Sequence, residues 1–263
     1  MPASLPSNTA DRDFADAQRA YWSRGDAAHF AWATSAPYFA GTEAALLDGV
    51  TAPVGGTLLE IGCGEGVNLH HLAARLPSVR LVGVDYSPGR ARFTRERTGC
   101  ATAVADATRL PFADAAFDAV LIRDLLHHLP RSARVTALGE AARVLRPGGG
   151  LFLVEPNAWN PLIALSAAVQ PAERGMLHSR AGRLAAEVAA AGFDIRSTKR
   201  RQPMPISRLV LHPRFGLPRL ANSRIVQAAL GGFERAAARL PDGIWAYLLL
   251  AAIKPPARDG GDR

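Results

Sequence analysis

The sequence of 263 residues predicts an α/β domain built on a mostly parallel sheet with helices on both faces. Two observations support this prediction. From Thr57 onward, short apolar runs of strand character alternate with segments of helical character, as is typical of parallel sheets wrapped by helices. The composition, 48% hydrophobic and 21% charged, also fits a globular chain that can bury a sizeable core.

Short apolar and β-branched runs between turn residues predict seven strands. They are expected at residues 57–61, 80–84, 101–105, 119–122, 151–154, 193–197 and 243–253. Helices are expected over residues 67–75, 131–145 and 182–191, and another begins at Ser87 and Pro88. Pro147 and the three glycines after it should end a helix before the fifth strand.

The segments on either side of the sheet are predicted to be helical. Near the N-terminus, helices are expected at about residues 11–23 and 37–48. The long segment before the last strand contains several prolines and is too long for a simple loop. The predicted divisions are an N-terminal helical lid at 1–52, a core at 53–202 and 243–254, a helical cap at 203–242 and a flexible tail at 255–263.

Charge and cysteine content limit the cellular setting and the partners. The net charge is +8, and residues 171–263 hold 16 basic and 7 acidic residues, so an anionic partner should meet the C-terminal third. Cys63 and Cys100 are the only cysteines, which argues against a disulfide framework and for the cytoplasm. The N-terminal residues lack the apolar run of a secretory signal, and no apolar run approaches the ~20 residues of a membrane span.

A glycine-rich turn follows the first predicted strand. Gly62, Gly64 and Gly66 stand at alternate positions, where the absence of Cβ lets a ligand approach the main chain closely. A dinucleotide site or a simple tight turn would also fit such a pattern. Val67 stands where a nicotinamide site needs a small residue, and Glu60 places an acid near a ligand ammonium group. These two details favour S-adenosylmethionine over NAD.

Acids also follow the second and third predicted strands. Asp85 is placed to accept hydrogen bonds from both ribose hydroxyls, and Tyr86 could stack on adenine. Asp106 could accept a hydrogen bond from the adenine amino group, while the N–H of Ala107 could donate one to a ring nitrogen. The alternatives are a helix-capping role for Asp85 and an ordinary polar loop at Asp106.

The fourth predicted strand delivers Arg123 and Asp124 to the carboxyl edge of the sheet, where ligands of open α/β sheets bind. His127 and His128 follow at once, near the expected position of the reacting group. Asp124, His127, His128 and, after the fifth strand, Glu155 are therefore the candidates for a catalytic base. We expect at most one of the two histidines to face a substrate, because adjacent residues on a turn point in different directions. Packing behind the sheet is the alternative for either histidine.

Five segments, at 58–66, 82–87, 105–112, 117–129 and 143–149, together resemble the class I S-adenosylmethionine-dependent methyltransferases. The resemblance covers about residues 57–156 and is greatest to the broad family that acts on small molecules and lipids. It implies a Rossmann-like, seven-stranded sheet of order 3-2-1-4-5-7-6, with strand seven antiparallel. The backbone of Arg123 would lie near the sulfonium. Its arginine side chain departs from the small residue that the family often has at this position. The implied cofactor-binding residues are Glu60, Gly62, Cys63, Gly64, Asp85, Tyr86, Asp106, Ala107 and Arg123.

The predicted reaction is methyl transfer to a small-molecule or lipid-like acceptor. Residues 196–224 hold eight basic and no acidic residues, interleaved with apolar ones, which suits an anionic substrate or peripheral membrane contact. A solvated, arginine-rich helical segment is the alternative. No metal site is expected, since no spacing typical of zinc ligands occurs. Other functions left open are an S-adenosylmethionine-binding module without transferase activity, an RNA methyltransferase recruited by the basic region, and a nicotinamide dehydrogenase. Nucleic-acid binding is disfavoured because no aromatic platform accompanies the charge.

Overall fold

A computed structural model describes residues 9–23, 25–213 and 216–256. Within them the chain alternates between helices and strands. The helices are α1 (Thr9–Tyr21), α2 (Ala27–Ser35), α3 (Pro37–Ala45), α4 (Val67–Arg75), α5 (Pro88–Thr98), α6 (Arg131–Val144), α7 (Pro161–Val169), α8 (Ala181–Ala190), α9 (Ser207–Val210) and α10 (Arg224–Ala237). The strands are β1 (Thr57–Ile61), β2 (Arg80–Asp85), β3 (Ala101–Val104), β4 (Phe117–Arg123), β5 (Leu145–Pro156), β6 (Asp194–Arg201) and β7 (Tyr247–Ile253).

The seven strands form one sheet of order β3-β2-β1-β4-β5-β7-β6, which confirms the predicted fold class. Strands β1 to β5 pair in parallel, whereas β7 runs antiparallel to both β5 and β6. The parallel strands therefore present their carboxyl ends at one edge. The order reverses direction between β1 and β4, and this switch point is where open α/β sheets bind ligands.

The core lies on both faces of the sheet because successive strand side chains alternate between them. Leu59 and Ile61 of β1 pack into one buried cluster with Val120 and Ile122 of β4. Leu58 belongs to a second cluster on the opposite face, with members from α4 and β4. Burial on both faces explains why these strands read as nearly continuous apolar runs.

Several predicted boundaries were wrong. Three N-terminal helices are present where two were expected, and Asp26 caps the additional helix, α2, by accepting hydrogen bonds from two backbone N–H groups. Strand β5 begins at Leu145, because Pro147 and the glycines after it continue into the strand past an irregularity in its pairing with β4. An unexpected helix, α7, begins at Asn160, whose side chain caps it.

The segment between β6 and β7 contains α9, α10 and two short 3-10 helices at Pro218–Asn222 and Asp242–Ile244. Tyr38 of α3 donates a hydrogen bond of 2.7 Å to Glu234 of α10, which ties this segment to the N-terminal helices. Arg214 of the basic region and residues 257–263 of the predicted tail lie outside the described residues. In the described part of the chain, no helix has the length and apolar character needed to cross a bilayer.

Candidate active site

One cavity of about 970 Å³ opens at the carboxyl ends of β1, β2 and β4. Its size suits a ligand pocket of the larger kind. Residues of α1, α2, α3, α7 and β7 complete its walls. Its lining includes eleven of the predicted site residues, namely Gly62, Cys63, Gly64, Asp85, Tyr86, Asp106, Ala107, Arg123, Asp124, His127 and His128.

The glycine turn takes a shape that few other residues allow. Gly62, Gly64 and Gly66 all have positive φ angles, of 78°, 51° and 81°. A Cβ on Gly66 would come within 2.7 Å of the Thr94 side chain, so α4 and α5 can pack this closely only with glycine there. The hydroxyl of Thr94 donates a hydrogen bond of 2.7 Å to the carbonyl of Gly64. The turn is thus fixed by α5.

Asp85 supports this turn from the end of β2. One carboxylate oxygen accepts a hydrogen bond of 3.0 Å from the N–H of Gly64, and the other accepts one of 2.9 Å from Ser87. Its side chain is nearly buried but lines the cavity. Burial raises the pKa of Asp85, while these N–H donors and Arg90 oppose the rise. The helix-capping role at α5 belongs to Ser87, which accepts a hydrogen bond from the N–H of Arg90.

Tyr86 and Asp106 lie where the cavity meets α1. The hydroxyl of Tyr86 donates a hydrogen bond to the carbonyl of Arg19, and Asp106 forms an ion pair of 3.3 Å with the Arg19 side chain. Asp106 also accepts hydrogen bonds from the N–H and hydroxyl of Thr108, so it organises its own loop. Both residues line the cavity, as does Ala107. Their predicted contacts with adenine stay predictions.

Glu60 lies one layer behind the cavity wall. It is fully buried and does not line the cavity, whereas the neighbouring Asn68 does. Asn68 donates a hydrogen bond of 2.5 Å to one carboxyl oxygen, while the other has no hydrogen-bond partner among the described residues. Burial raises the pKa of Glu60 to about 8, against the opposing effects of Asn68 and Arg123.

The pKa of Glu60 predicts a pH-dependent stability that an isosteric variant should lack. Because the folded pKa lies above the unfolded value, Glu60 favours folding below about pH 4.5, and this contribution is lost as pH rises through about 8. Relative to Glu60→Gln, the wild type should therefore lose at least about 1 kcal/mol of unfolding free energy over that range. Chemical denaturation at several pH values measures it.

The groups facing Glu60 are Asn68, Arg123, Asp85 and Asp124. All four are the same in the wild type and in Glu60→Gln. S-adenosylhomocysteine carries an ammonium group and should reduce the difference at pH 8. A wild-type curve parallel to that of Glu60→Gln would contradict the prediction.

Arg123 lies in a buried ionic cluster that the sequence did not predict. Its guanidinium contacts Glu43 of α3 at 2.5 Å and donates a hydrogen bond of 2.7 Å to Asn68. Arg208, from α9, pairs with the other oxygen of Glu43 and stacks over the Tyr247 ring at 4.8 Å. Burial would raise the pKa of Glu43, but the two arginines outweigh it and hold that pKa low. The signals of this cluster were Glu43, the one charged residue in α3, and the unusual arginine at position 123.

Asp124 follows β4 in a strained conformation. Its φ is +50°, and its N–H bonds to the carbonyl of Val154, so the backbone turns sharply at the strand end. Non-glycine residues held at positive φ cluster at functional sites. The side chain lines the cavity and is 37% exposed, and Arg123 lies 3.3 Å away. Removal from bulk water raises the pKa of Asp124, and Arg123 opposes the rise.

His127 lies between two carboxylates. Its Nδ1 is 2.8 Å from Glu155, and its Nε2 is 3.4 Å from Glu173 of the 3-10 segment Pro171–His178. The second oxygen of Glu155 accepts hydrogen bonds from the N–H groups of Leu125 and Leu126, and these bonds fix the turn after β4. Burial would lower the pKa of His127, but the two carboxylates outweigh it and raise that pKa to about 10.

His128 points to the same part of the cavity. Its Nε2 lies 4.0 Å from Glu173, and Trp22 of α1 packs edge-on against the ring at 5.3 Å. Burial lowers the pKa of His128, and the neighbouring His127 lowers it further. Both histidines thus line the cavity, and the expectation that at most one faces a substrate stays a prediction. Glu173 was missed by sequence reasoning because it lies far along the chain in an irregular segment.

Comparison with known proteins adds family information to this geometry. Residues 58–149 match a family described as "Methyltransferase domain". The chain is 40% identical over 124 residues to demethylmenaquinone methyltransferase of Beutenbergia cavernae, covering 46% of this chain and 50% of that one. It is 34% identical over 131 residues to the human probable tRNA methyltransferase 9B, covering 48% and 28% respectively. The chain thus spans half or less of the length of these relatives.

Among solved structures, geranyl diphosphate C-methyltransferase from Streptomyces coelicolor A3(2) has a similar fold. The TM-score is 0.61 at 18% identity, covering 95% of this chain and all of that one. At this identity the likeness concerns the fold alone. Residues 58–149 are thus similar to known methyltransferase domains, and the sheet order is the one that the resemblance to the class I S-adenosylmethionine-dependent methyltransferases implies.

Proposed function

We propose that the protein transfers a methyl group from S-adenosylmethionine to a small-molecule or lipid-like acceptor. The observation that carries this proposal is the continuity of the cavity. Eight of the nine residues predicted to hold the cofactor and three of the four candidate bases, Asp124, His127 and His128, line the same space of about 970 Å³. Two ligands can therefore meet inside it without a change of fold.

The residues at the ends of β1 and β2 fit the cofactor. The positive φ angles of the glycine turn leave room for close approach of a ligand to the main chain, and Asp85 offers a carboxylate to the sugar. The unpartnered oxygen of Glu60 would be compensated by a nearby ammonium group. S-adenosylmethionine supplies a methyl group already activated by its sulfonium.

The acceptor half of the cavity comprises the lining residues that follow β4, together with those from α7, the 171–178 segment and α9. The lining of the cavity as a whole is mostly apolar, and the apolar side chains of this half include Leu129, Leu165, Val169, Met176 and Leu209. Arg208 adds a cationic side chain, although Glu43 neutralises part of its charge. A mostly apolar lining with a few polar groups favours a small or lipid-like acceptor.

Asp124 is the group best placed to take a proton from the acceptor. It lines the cavity at the end of β4, between the two halves, and its side chain is accessible from the cavity. Arg123 and the turn at Val154 fix its position. Transfer to a hydroxyl acceptor releases a proton, so a base at this point would speed the reaction, while the walls hold the reactants in line.

A methyl-donor assay tests the proposal. The protein is incubated with S-adenosylmethionine and fractionated small-molecule and lipid extracts, and S-adenosylhomocysteine is measured. At least one fraction should raise its production well above the background without extract. Binding of S-adenosylmethionine without turnover on any fraction would instead support a binding module. Failure to bind the nucleoside, measured by calorimetry, would exclude both functions.

RNA is the second acceptor class to be tested, because one relative is named a probable tRNA methyltransferase. Transfer RNA should then support turnover, and its affinity should fall steeply with salt, since phosphate contacts dominate such binding. We expect neither result. Turnover on tRNA that exceeds turnover on every small-molecule fraction would overturn the proposed acceptor class.

Changing Asp85 should weaken cofactor binding. In Asp85→Asn only one oxygen remains, so the side chain can no longer accept from both Gly64 and Ser87 while meeting the sugar. Loss of about 2 kcal/mol from charge-assisted hydrogen bonds predicts roughly 30-fold weaker S-adenosylhomocysteine binding by calorimetry. Asp114→Asn, at a carboxylate that is 79% exposed, is the control. Unchanged affinity in Asp85→Asn would contradict the assigned role.

A further inference from the structure

The side chains of His127, His128 and Glu173 converge at the acceptor half of the cavity. One ligand atom from each lies within 4.8 Å of the others, and all three residues line the cavity. We propose that these three side chains bind a divalent transition-metal ion. The sequence predicts no such site because the residues lack the spacing typical of zinc ligands. The fold brings Glu173 to the histidines from a separate segment.

The donor atoms are unsatisfied in a way that fits a metal. The Nε2 of His127 and one oxygen of Glu173 have no hydrogen-bond partner among the described residues, although they lie 3.4 Å apart. The His127 side chain is only 1% exposed, so bulk water does not satisfy it. Ligand atoms of a tetrahedral zinc ion lie about 3.4 Å apart, so small side-chain rotations would close the site.

A carboxylate behind the histidine completes the arrangement. The Nδ1 of His127 faces Glu155 at 2.8 Å, which leaves Nε2 directed at the proposed ion. Histidine ligands of metals usually donate their second N–H to such a carboxylate or to a carbonyl. Glu155 is itself fixed by the backbone of Leu125 and Leu126. The position of the Glu155 carboxylate therefore does not depend on whether an acceptor molecule is bound.

Charge also favours a cation here. Metal binding would displace the Nε2 proton of His127, and Glu155 and Glu173 would then leave two negative charges in a buried cluster, which a divalent ion would balance. Two imidazoles and one carboxylate suit zinc, iron or cobalt better than magnesium, which prefers oxygen ligands. Three protein ligands would leave an open position toward the cavity, where an acceptor oxygen or water could bind.

Backbone packing holds the two ligand segments together. The 3-10 turn at Leu126–His128 packs against the Pro171–His178 segment, and a Cβ on Gly175 would overlap the carbonyl oxygen of His127. Glycine at 175 thus permits the close approach that brings Glu173 to both histidines. The three ligands consequently lie on two segments that pack directly against each other.

Metal uptake by the full chain tests the proposal. Protein stripped with a chelator and dialysed is titrated separately with Zn²⁺, Co²⁺ and Mg²⁺. We expect one Zn²⁺ or Co²⁺ per chain by elemental analysis, a visible Co²⁺ spectrum that Zn²⁺ displaces, and no competition by Mg²⁺. A chain that takes up neither Zn²⁺ nor Co²⁺, or whose Co²⁺ is displaced by Mg²⁺, would overturn the proposal.

Variants then locate the ion. Glu173→Ala and His128→Ala should each weaken Zn²⁺ binding by more than about 100-fold, and Glu155→Gln by about 10- to 100-fold. His178→Ala and Glu96→Gln change exposed side chains and should bind as the wild type does. Zn²⁺ uptake that persists in the His128→Ala/Glu173→Ala double variant would place the ion elsewhere and contradict the proposal.

The same samples separate this inference from the proposed function. Thermal unfolding and S-adenosylhomocysteine binding show whether each variant is folded, whatever its metal content. A wild-type chain that binds Zn²⁺ but not the nucleoside would contradict the proposed methyl transfer and leave the metal site intact. A chain that binds the nucleoside but no metal would contradict the metal site and leave the proposed methyl transfer intact.

Discussion

Replacing Glu43 with glutamine should lower the free energy of unfolding by about 3–5 kcal/mol, since breaking a buried ion pair leaves charge uncompensated. The Arg123 and Glu43 side chains are 4% and 6% exposed, and Arg208 pairs with the same carboxylate. Glutamine keeps the shape of glutamate but would remove the carboxylate that Arg208 pairs with and leave Arg123 with Asp124 alone. The destabilisation should be visible in urea denaturation and in a melting temperature lowered by about 10 °C.

Two further variants make this prediction specific. Glu96→Gln breaks an exposed pair with Arg92 on α5 and should cost less than about 0.5 kcal/mol. Adding Arg208→Met to Glu43→Gln removes one of the uncompensated charges and should recover part of the lost stability. If Glu43→Gln unfolded at the same urea concentration as Glu96→Gln, the cluster would not stabilise the fold.

Asp124→Asn should lower the rate of methyl transfer by about 10²- to 10⁴-fold, the usual contribution of a positioned general base. Asparagine tolerates the positive φ of 50° better than most residues, so the backbone should keep its turn. Asparagine cannot accept the proton. The measurement is S-adenosylhomocysteine release with the extract fraction that supports turnover.

Binding data distinguish this catalytic role from a structural one. S-adenosylhomocysteine affinity should stay within about threefold of the wild type. A tenfold loss of affinity corresponds to about 1.4 kcal/mol, and the substitution removes no contact with the nucleoside of that size. The exposed variant Asp114→Asn should retain full activity. A rate for Asp124→Asn close to the wild-type rate would show that the acceptor proton leaves by another route.

Sequence reasoning predicted the parts of this protein that local patterns encode. Strand β1 and helix α4 lie at the predicted residues. The apolar run defines the strand, and the glycine turn marks where the strand ends and the helix begins. The same turn placed Gly62 and Gly64 at the cavity. Such features depend on neighbours in the chain, and backbone sterics alone are enough to predict them.

The remaining features depend on contacts between distant segments. Glu43 meets Arg208 across the fold, and nothing near either residue in the chain signals the other. Glu173 likewise reaches His127 only because two irregular turns pack together. Helix α2 was missed since its aromatic residues show no clear helical periodicity, and its cap at Asp26 is a single residue. These features follow from packing, which a single sequence does not display.

The attachments of α1 have a consequence for the order of events in a catalytic cycle. At one point α1 holds the loop of Asp106 through Arg19, and at another Gln18 donates a hydrogen bond of 2.8 Å to the carbonyl of Ala172, beside Glu173. Lifting this helix would open both parts of the cavity in one movement. Under the proposed function, the nucleoside and the methylated product would then leave along that route together.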